Sequence, residues 1–230
     1  MSLIIGATPF SQWERMEPLF QQLGLAAQPS DTSALPGAVA SSSTPCLLLH
    51  TRPELAVVQA IAEGASPNEA LAQWITAAQA LLDVLRANRS QCLMVEVHSA
   101  LKAPAQLLDW LRNNRPSWLT LPTGAPTVVA DAVELPDERH LLLATQLVAQ
   151  SAKVQPLLAP LEASTVPLVA GQYTVPTIDI EQLQQRWQVE SQELESLNQS
   201  LLQAQSQLEK AQKAQQQNAG QSNATGQAER

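Results

Sequence analysis

Basic residues are scarce: 13 Lys and Arg stand against 21 Asp and Glu in 230 residues, for a net charge of −8. They are spread thinly, with no cluster to follow a phosphate backbone or an anionic membrane surface, so nucleic-acid binding is not expected. Long apolar runs are also missing. None approaches the roughly 20 residues that cross a bilayer, so no membrane span is expected. No basic flank precedes a long apolar stretch near Met1, which argues against a signal peptide and for a soluble, cytoplasmic protein. Cysteine and histidine are few: Cys46 and Cys92, and His50, His98 and His140. No spacing among them matches a zinc site, so no metal is expected. Both cysteines open an apolar run, where a free thiol acts as a small buried hydrophobe.

With 45% hydrophobic residues, the chain is long enough for one domain of about 150 residues and an appendage. The stretch from Thr44 to Asn114 organises the domain. Cys46 to His50 and Cys92 to Val97 are nearly continuous apolar runs separated by helical patterns. That is the signature of strands covered on both faces in a parallel sheet and joined by a right-handed crossover. Pro53 suits the first turn of a helix with Leu55, Val58 and Ile61 inward. Ser66-Pro67-Asn68-Glu69 reads as a capping box opening a helix to about Asn88, whose apolar face includes Leu71, Trp74, Leu81 and Leu82. Ala103-Pro104 opens another, with Leu107, Leu108 and Leu111 inward. The expected fold is α/β, a small three-layer parallel sheet over residues 1–155.

Upstream, Leu3 to Ile5 form a short strand running into Gly6-Ala7-Thr8-Pro9-Phe10-Ser11 and then a helix from about Gln12 to Leu23. Backbone N–H groups at such a turn can hold an anion, which makes Gly6, Thr8 and Ser11 candidate cofactor-binding residues. A working phosphate loop adds further glycines and a Lys or Arg, absent between Gly6 and Gln12, and Arg15 comes a turn too late. The simpler reading is a strand-to-helix turn capped by Ser11. Residues 26–45, rich in Pro, Ser and Ala, read as a mobile connection. His50 and His98 end the two core strands, where α/β sheets place their ligands, and are the candidate catalytic bases. Downstream, 115–127 reads as a loop, 128–133 is too short to assign, a helix is expected from Asp137 to about Gln155, and 156–178 reads as a Pro-rich linker.

The tail differs in kind. From Ile180 a heptad pattern sets Ile180, Trp187, Leu194, Leu201 and Leu208 at a, and Leu183, Glu190, Leu197, Ala204 and Ala211 at d. A lone helix cannot bury such a stripe, so self-association as a coiled coil over 179–213 is expected, through Ile180, Leu183, Trp187, Leu194, Leu197, Leu201 and Leu208. The alternative is a helix folded back on the domain. The e and g positions are mostly Gln and Ser, so charge does not select the partner. Residues 214–230 are Gln/Asn-rich and expected to be disordered.

LLLHTRPELAVVQAIAEGASPNEALAQWITAAQALLDVL followed by QCLMVEVHSALKAPAQLLDWL resembles bacterial sulfotransferase-family domains, which transfer a sulfuryl group from 3′-phosphoadenosine 5′-phosphosulfate. The order of elements, the Arg52-Pro53 step, the Asn68-to-Trp74 run and the Ala103-Pro104 helix start carry the likeness, over residues 1 to about 155. It implies a P-loop-like sulfotransferase fold. The residues holding the donor's 3′-phosphate would fall at Arg52 and Gln59, where the family has Arg and Ser. The family's basic, glycine-containing loop for the 5′-phosphosulfate corresponds to Thr8-Pro9-Phe10-Ser11-Gln12, which has neither feature, and its Tyr-Glu-Asp turn becomes Val97-His98-Ser99.

Three functions are therefore open. The first is a non-catalytic sulfotransferase-like scaffold or binding module, without cofactor, that self-associates through its coiled coil and can carry a protein partner. The second is a diverged sulfotransferase for a carbohydrate or other hydroxyl acceptor, using the phosphosulfate donor, Arg52, the first turn, and His50 or His98 as base; polysaccharide biosynthesis would be its setting. The third is an assembly protein organised by the tail.

Overall fold

The computed structural model describes residues 2–118, 137–168 and 178–228, with side chains up to residue 210. They form two units, Met1–Pro176 and Thr177–Arg230. In the first, β1 (Ser2–Ala7), β2 (Ala26–Ser30), β3 (Cys46–His50) and β4 (Cys92–Glu96) make a sheet in the order β2-β1-β3-β4. Every pairing is parallel. A 3₁₀ turn (Trp13–Met16) and α1 (Glu17–Gln22) lead from β1 to β2, and α2 (Leu35–Ala40) leads to β3. Then α3 (Pro53–Ala62) and α4 (Pro67–Ala87) lead to β4, followed by α5 (Val97–Lys102), α6 (Pro104–Asn114), α7 (Glu138–Gln150) and α8 (Gln155–Ser164). The second unit is one helix, α9 (Ile180–Ala228). Among the described residues no helix is long and apolar enough to cross a membrane.

Strands β3 and β4 are buried along their whole length because the sheet is covered on both faces. Leu47, Leu49, Leu93 and Val95 join Leu3 and Ile5 in a core with Leu19 and Phe20 of α1, Val97 and Ala100 of α5, and Leu107, Leu108 and Leu111 of α6. Alternate residues face the other way. There α2 packs on β1, and α4 on β1, β3 and β4, with Trp74 fully buried. Cys46 and Cys92 are adjacent in register and remain free thiols. The hydrogen bond between them, together with burial, pushes the Cys46 thiol up.

Several expectations are corrected. Residues 26–45 are not a mobile loop: they hold β2, paired with β1, and α2, whose Leu35 and Val39 are fully buried. Strand β2 is half exposed, so its AAQPS sequence lacks an apolar signature. Gly6 serves this packing, because a Cβ at position 6 would run into the Cδ atoms of Leu35. Ser66 sits at the start of α4 with extended backbone but makes no side-chain cap, so the capping box does not form. Instead Asp137 caps α7, accepting from the N–H groups of Arg139 and His140.

The stretch 156–178 is not all linker, since α8 fills its first part. Pro156 lies in the first turn, where its missing N–H costs nothing. Pro160 falls inside the helix and removes one hydrogen bond, against which the burial of Leu157 and Leu161 stabilises by about 1.5–3 kcal/mol each. Val166 and Leu168 then enter the core. Helix α9 runs past Lys213 to Ala228, where disorder was expected; Ala and Gln are good helix formers. The stretch 128–133 lies outside the described residues, as do 119–127 of the expected loop.

Candidate functional site

The strand order reverses between β1 and β3, and the carboxyl edge at such a switch point is where open α/β sheets bind ligands. Here the two strand ends are tied together. Thr8 N–H donates to Leu49 O at 2.9 Å, and Thr51 N–H donates to Thr8 Oγ1 at 3.3 Å. A cavity lies on each side of this tie. One, about 780 Å³, opens beside the turn after β1 and the end of β2; the other, about 410 Å³, lies between the ends of β3 and β4 and helix α8.

The smaller cavity is floored by polar groups that are nearly all paired. His50 and Glu96 are neighbours in the β3–β4 register, and with Thr51, His98 and Ser99 they are buried. Glu96 caps α5, accepting from His98 N–H at 3.1 Å, Ser99 N–H at 2.6 Å and Ser99 Oγ at 2.5 Å. Burial works to raise its pKa, but these donors and the neighbouring imidazoles outweigh it and hold the carboxyl at about 2. Burial pushes His50 down to about 4 against the pull of Glu96, so this imidazole is neutral at pH 7. Its Nε2 lies 2.7 Å from Thr165 Oγ1. The Thr165 hydroxyl also lies 2.7 Å from Leu161 O, so it joins the imidazole to α8. Trp74 Nε1 completes the floor by donating to Thr51 O at 2.9 Å.

Thr51, His98 and Glu96 do not form a proton relay. A hydroxyl, an imidazole and a carboxylate act in series only when the two ring nitrogens serve different partners. In His98 the same atom, Nδ1, faces both Thr51 Oγ1 at 2.9 Å and Glu96 Oε1 at 3.4 Å. His50 turns Nε2 onto Thr165 Oγ1, so that nitrogen is taken up by the scaffold. Arg52 stands at the mouth, at the N-terminus of α3, 3.6 Å from Glu162 of α8 with its side chain 37% exposed.

The larger cleft has a different character. Thr8 and Ser11 line it, in a turn where Phe10 and Gln12 both hold left-handed backbone (φ 58° and 54°). Ser11 does not cap the turn: Gln12 takes that position, and the buried Ser11 Oγ has no hydrogen-bond partner. Glu14, Asp31 and Glu63 also line the cleft, with no Lys or Arg among the described residues. Beside it runs a one-way donor chain. Arg15 Nη1 donates to Gln12 Oε1 (3.3 Å), Gln12 Nε2 to Gln59 Oε1 (2.5 Å), and Gln59 Nε2 to Glu63 Oε1 (2.7 Å). One donor of the Arg15 guanidinium is thereby used.

Of the sequence candidates, Thr8 and Ser11 reach the larger cleft, His50 and Arg52 the smaller, and His98 joins the latter through Thr51. Gly6 and Gln59 line neither; Gly6 seats Leu35, and Gln59 links the first turn to α3. Glu96, Thr165 and Asp31 were missed. A lone carboxylate at the end of an apolar run was the signal available for Glu96. On α9, Ile180, Trp187, Leu194, Leu197, Leu201 and Leu208 are exposed, whereas Leu183 is buried. No protein-family model, curated protein or solved structure matches the chain.

Proposed function

We propose that the chain is a non-catalytic α/β binding module, of the sulfotransferase-like type its sequence resembles, that self-associates through α9. The observation carrying the assembly half is the row of apolar side chains at heptad spacing, from Ile180 at 65% to Leu208 at 60% exposed. Burying each would stabilise an oligomer by about 1.5–3 kcal/mol. The non-catalytic half is supported by the shared His98 nitrogen and by the acidic cleft at the first turn. Sulfuryl transfer needs positive charge and aligned donors around the bridging oxygen, and there the charged residues of the described lining are all carboxylates. The P-loop sulfotransferase assignment belongs to the same proposal and rests on the residue resemblance alone.

Light scattering of the intact chain and of a Leu194→Asp/Leu201→Asp variant tests the assembly. The expected outcome is a multiple of the chain mass for the first and a single chain for the second, since charges in the seam dissociate it. A monomeric intact chain would sink this half. Titration with 3′-phosphoadenosine 5′-phosphate tests the other. No heat is expected at millimolar nucleotide; binding that disappears in Arg52→Ala would revive the transferase.

A further inference from the structure

We propose that the cleft beside the β1 turn binds a hydroxyl-rich small molecule carrying a protonated amine, an amino sugar in chemical class. This names a ligand for the binding module and rests on that reading, but not on α9.

Size and position come first. About 780 Å³ lies within the range of small-molecule sites, and the carboxyl edge of a parallel sheet is their usual place. Charge then selects the class. Three carboxylates, Glu14, Asp31 and Glu63, line the cleft without a described Lys or Arg. Asp31 accepts from Ser33 N–H and Ser33 Oγ, both at 2.9 Å, which favours its charged form. Glu63 is fixed at the end of the donor chain by Gln59. A phosphorylated or sulfated ligand would meet like charge on these walls, whereas an ammonium group would find partners.

The remaining lining suits a sugar body. Phe10 and Trp13 offer apolar faces beside the neutral donors and acceptors of Thr32, Gln73 and Thr76, and an aromatic face also attracts a nearby ammonium. Ser11 gives the independent sign of a ligand. It lines the cleft, is 1% exposed, and its Oγ is the one buried side-chain oxygen or nitrogen without a hydrogen-bond partner among the described residues. A buried hydroxyl left unpaired destabilises a fold, and its neighbours Phe10 and Gln12 hold the turn in a left-handed conformation that side chains disfavour.

Calorimetric titration of the intact chain with three disaccharides decides the matter: chitobiose with both amines free, N,N′-diacetylchitobiose, and a sulfated disaccharide. The free-amine sugar should bind at least about tenfold tighter than the acetylated one, with affinity falling as salt rises, and the sulfated one should not bind. Glu63→Gln and Asp31→Asn should each weaken the free-amine sugar about threefold or more, within the range for partly exposed charges. Ser11→Ala should bind it less well yet melt no lower, because it deletes an unpaired hydroxyl; unchanged affinity would make Ser11 merely structural and overturn its part.

No binding of the free-amine sugar at about ten times a millimolar Kd, or binding that ignores the carboxylate variants, overturns the proposal. Equal or tighter binding of the acetylated or sulfated sugar also overturns it, while leaving a binding module of another specificity. The module itself stands or falls separately, on the scattering mass and the nucleotide titration.

Discussion

The two cavities at the carboxyl edge share the Thr8 and Thr51 tie and otherwise differ in almost every physical respect. Around the smaller, buried Thr51, Glu96, His98 and Ser99 are hydrogen-bonded to one another or to the backbone, and buried His50 to the Thr165 hydroxyl. Around the larger, the carboxylates are exposed and one buried hydroxyl is unpaired. Buried charge is tolerated only when fully compensated, and compensated groups have little left to offer a ligand. The contrast separates a region whose polar groups are spent on the fold from one whose polar groups stand open, although perturbed pKa values alone would have pointed to the former.

The sharpest way to break this comparison is Glu96→Ala. It removes three hydrogen bonds to the start of α5 and leaves His98 and Ser99 donors unpaired, so we expect a loss of about 3–5 kcal/mol in chemical denaturation. A loss below about 1 kcal/mol would mean that the network is not structural.

The next effect is in pH. His50 titrates near 6.5 when unfolded and at about 4 when folded. Between those values the unfolded chain therefore holds more protons, and the stability present above pH 6.5 is lost as pH falls through 4. The shift corresponds to on the order of 3 kcal/mol. Glu96, folded at about 2 against an ordinary 4.5, has the same sign and extends the loss from pH 4.5 toward 2. Denaturation midpoints measured from pH 7 to 4 should decline steeply in the parent and more gently in His50→Gln; parallel curves would refute the assignment.

The smallest effects belong to the exposed charges. Glu63→Ala and Glu162→Ala should each cost less than about 1 kcal/mol, because the Arg52–Glu162 contact is long and open to water and Glu63 is exposed. A larger loss at Glu63 would make the open cleft part of the scaffold too.

How much of this was legible in the sequence follows from burial. Strands β3 and β4 and helices α3 and α4 announce themselves because both sheet faces are covered, and the parallel α/β class follows from them. Strand β2 stays hidden because an edge strand exposing Gln28 and Pro29 carries no apolar run. Helix α8 stays hidden because Pro156 and Pro160 look like breakers. Within the site, His50 and Arg52 could be found because they follow a core strand directly. The Gln12 and Gln59 pairing could not, because it spans 47 positions and neither residue type announces a partner.

That pairing fixes more than a distance. With a guanidinium at one end and a carboxylate at the other, both glutamine amides have a single allowed orientation, oxygen toward Arg15 and nitrogen toward Glu63. The row thus behaves as a small molecular arrow: a Lys in place of Glu63 would oblige both amides to turn over together or part company.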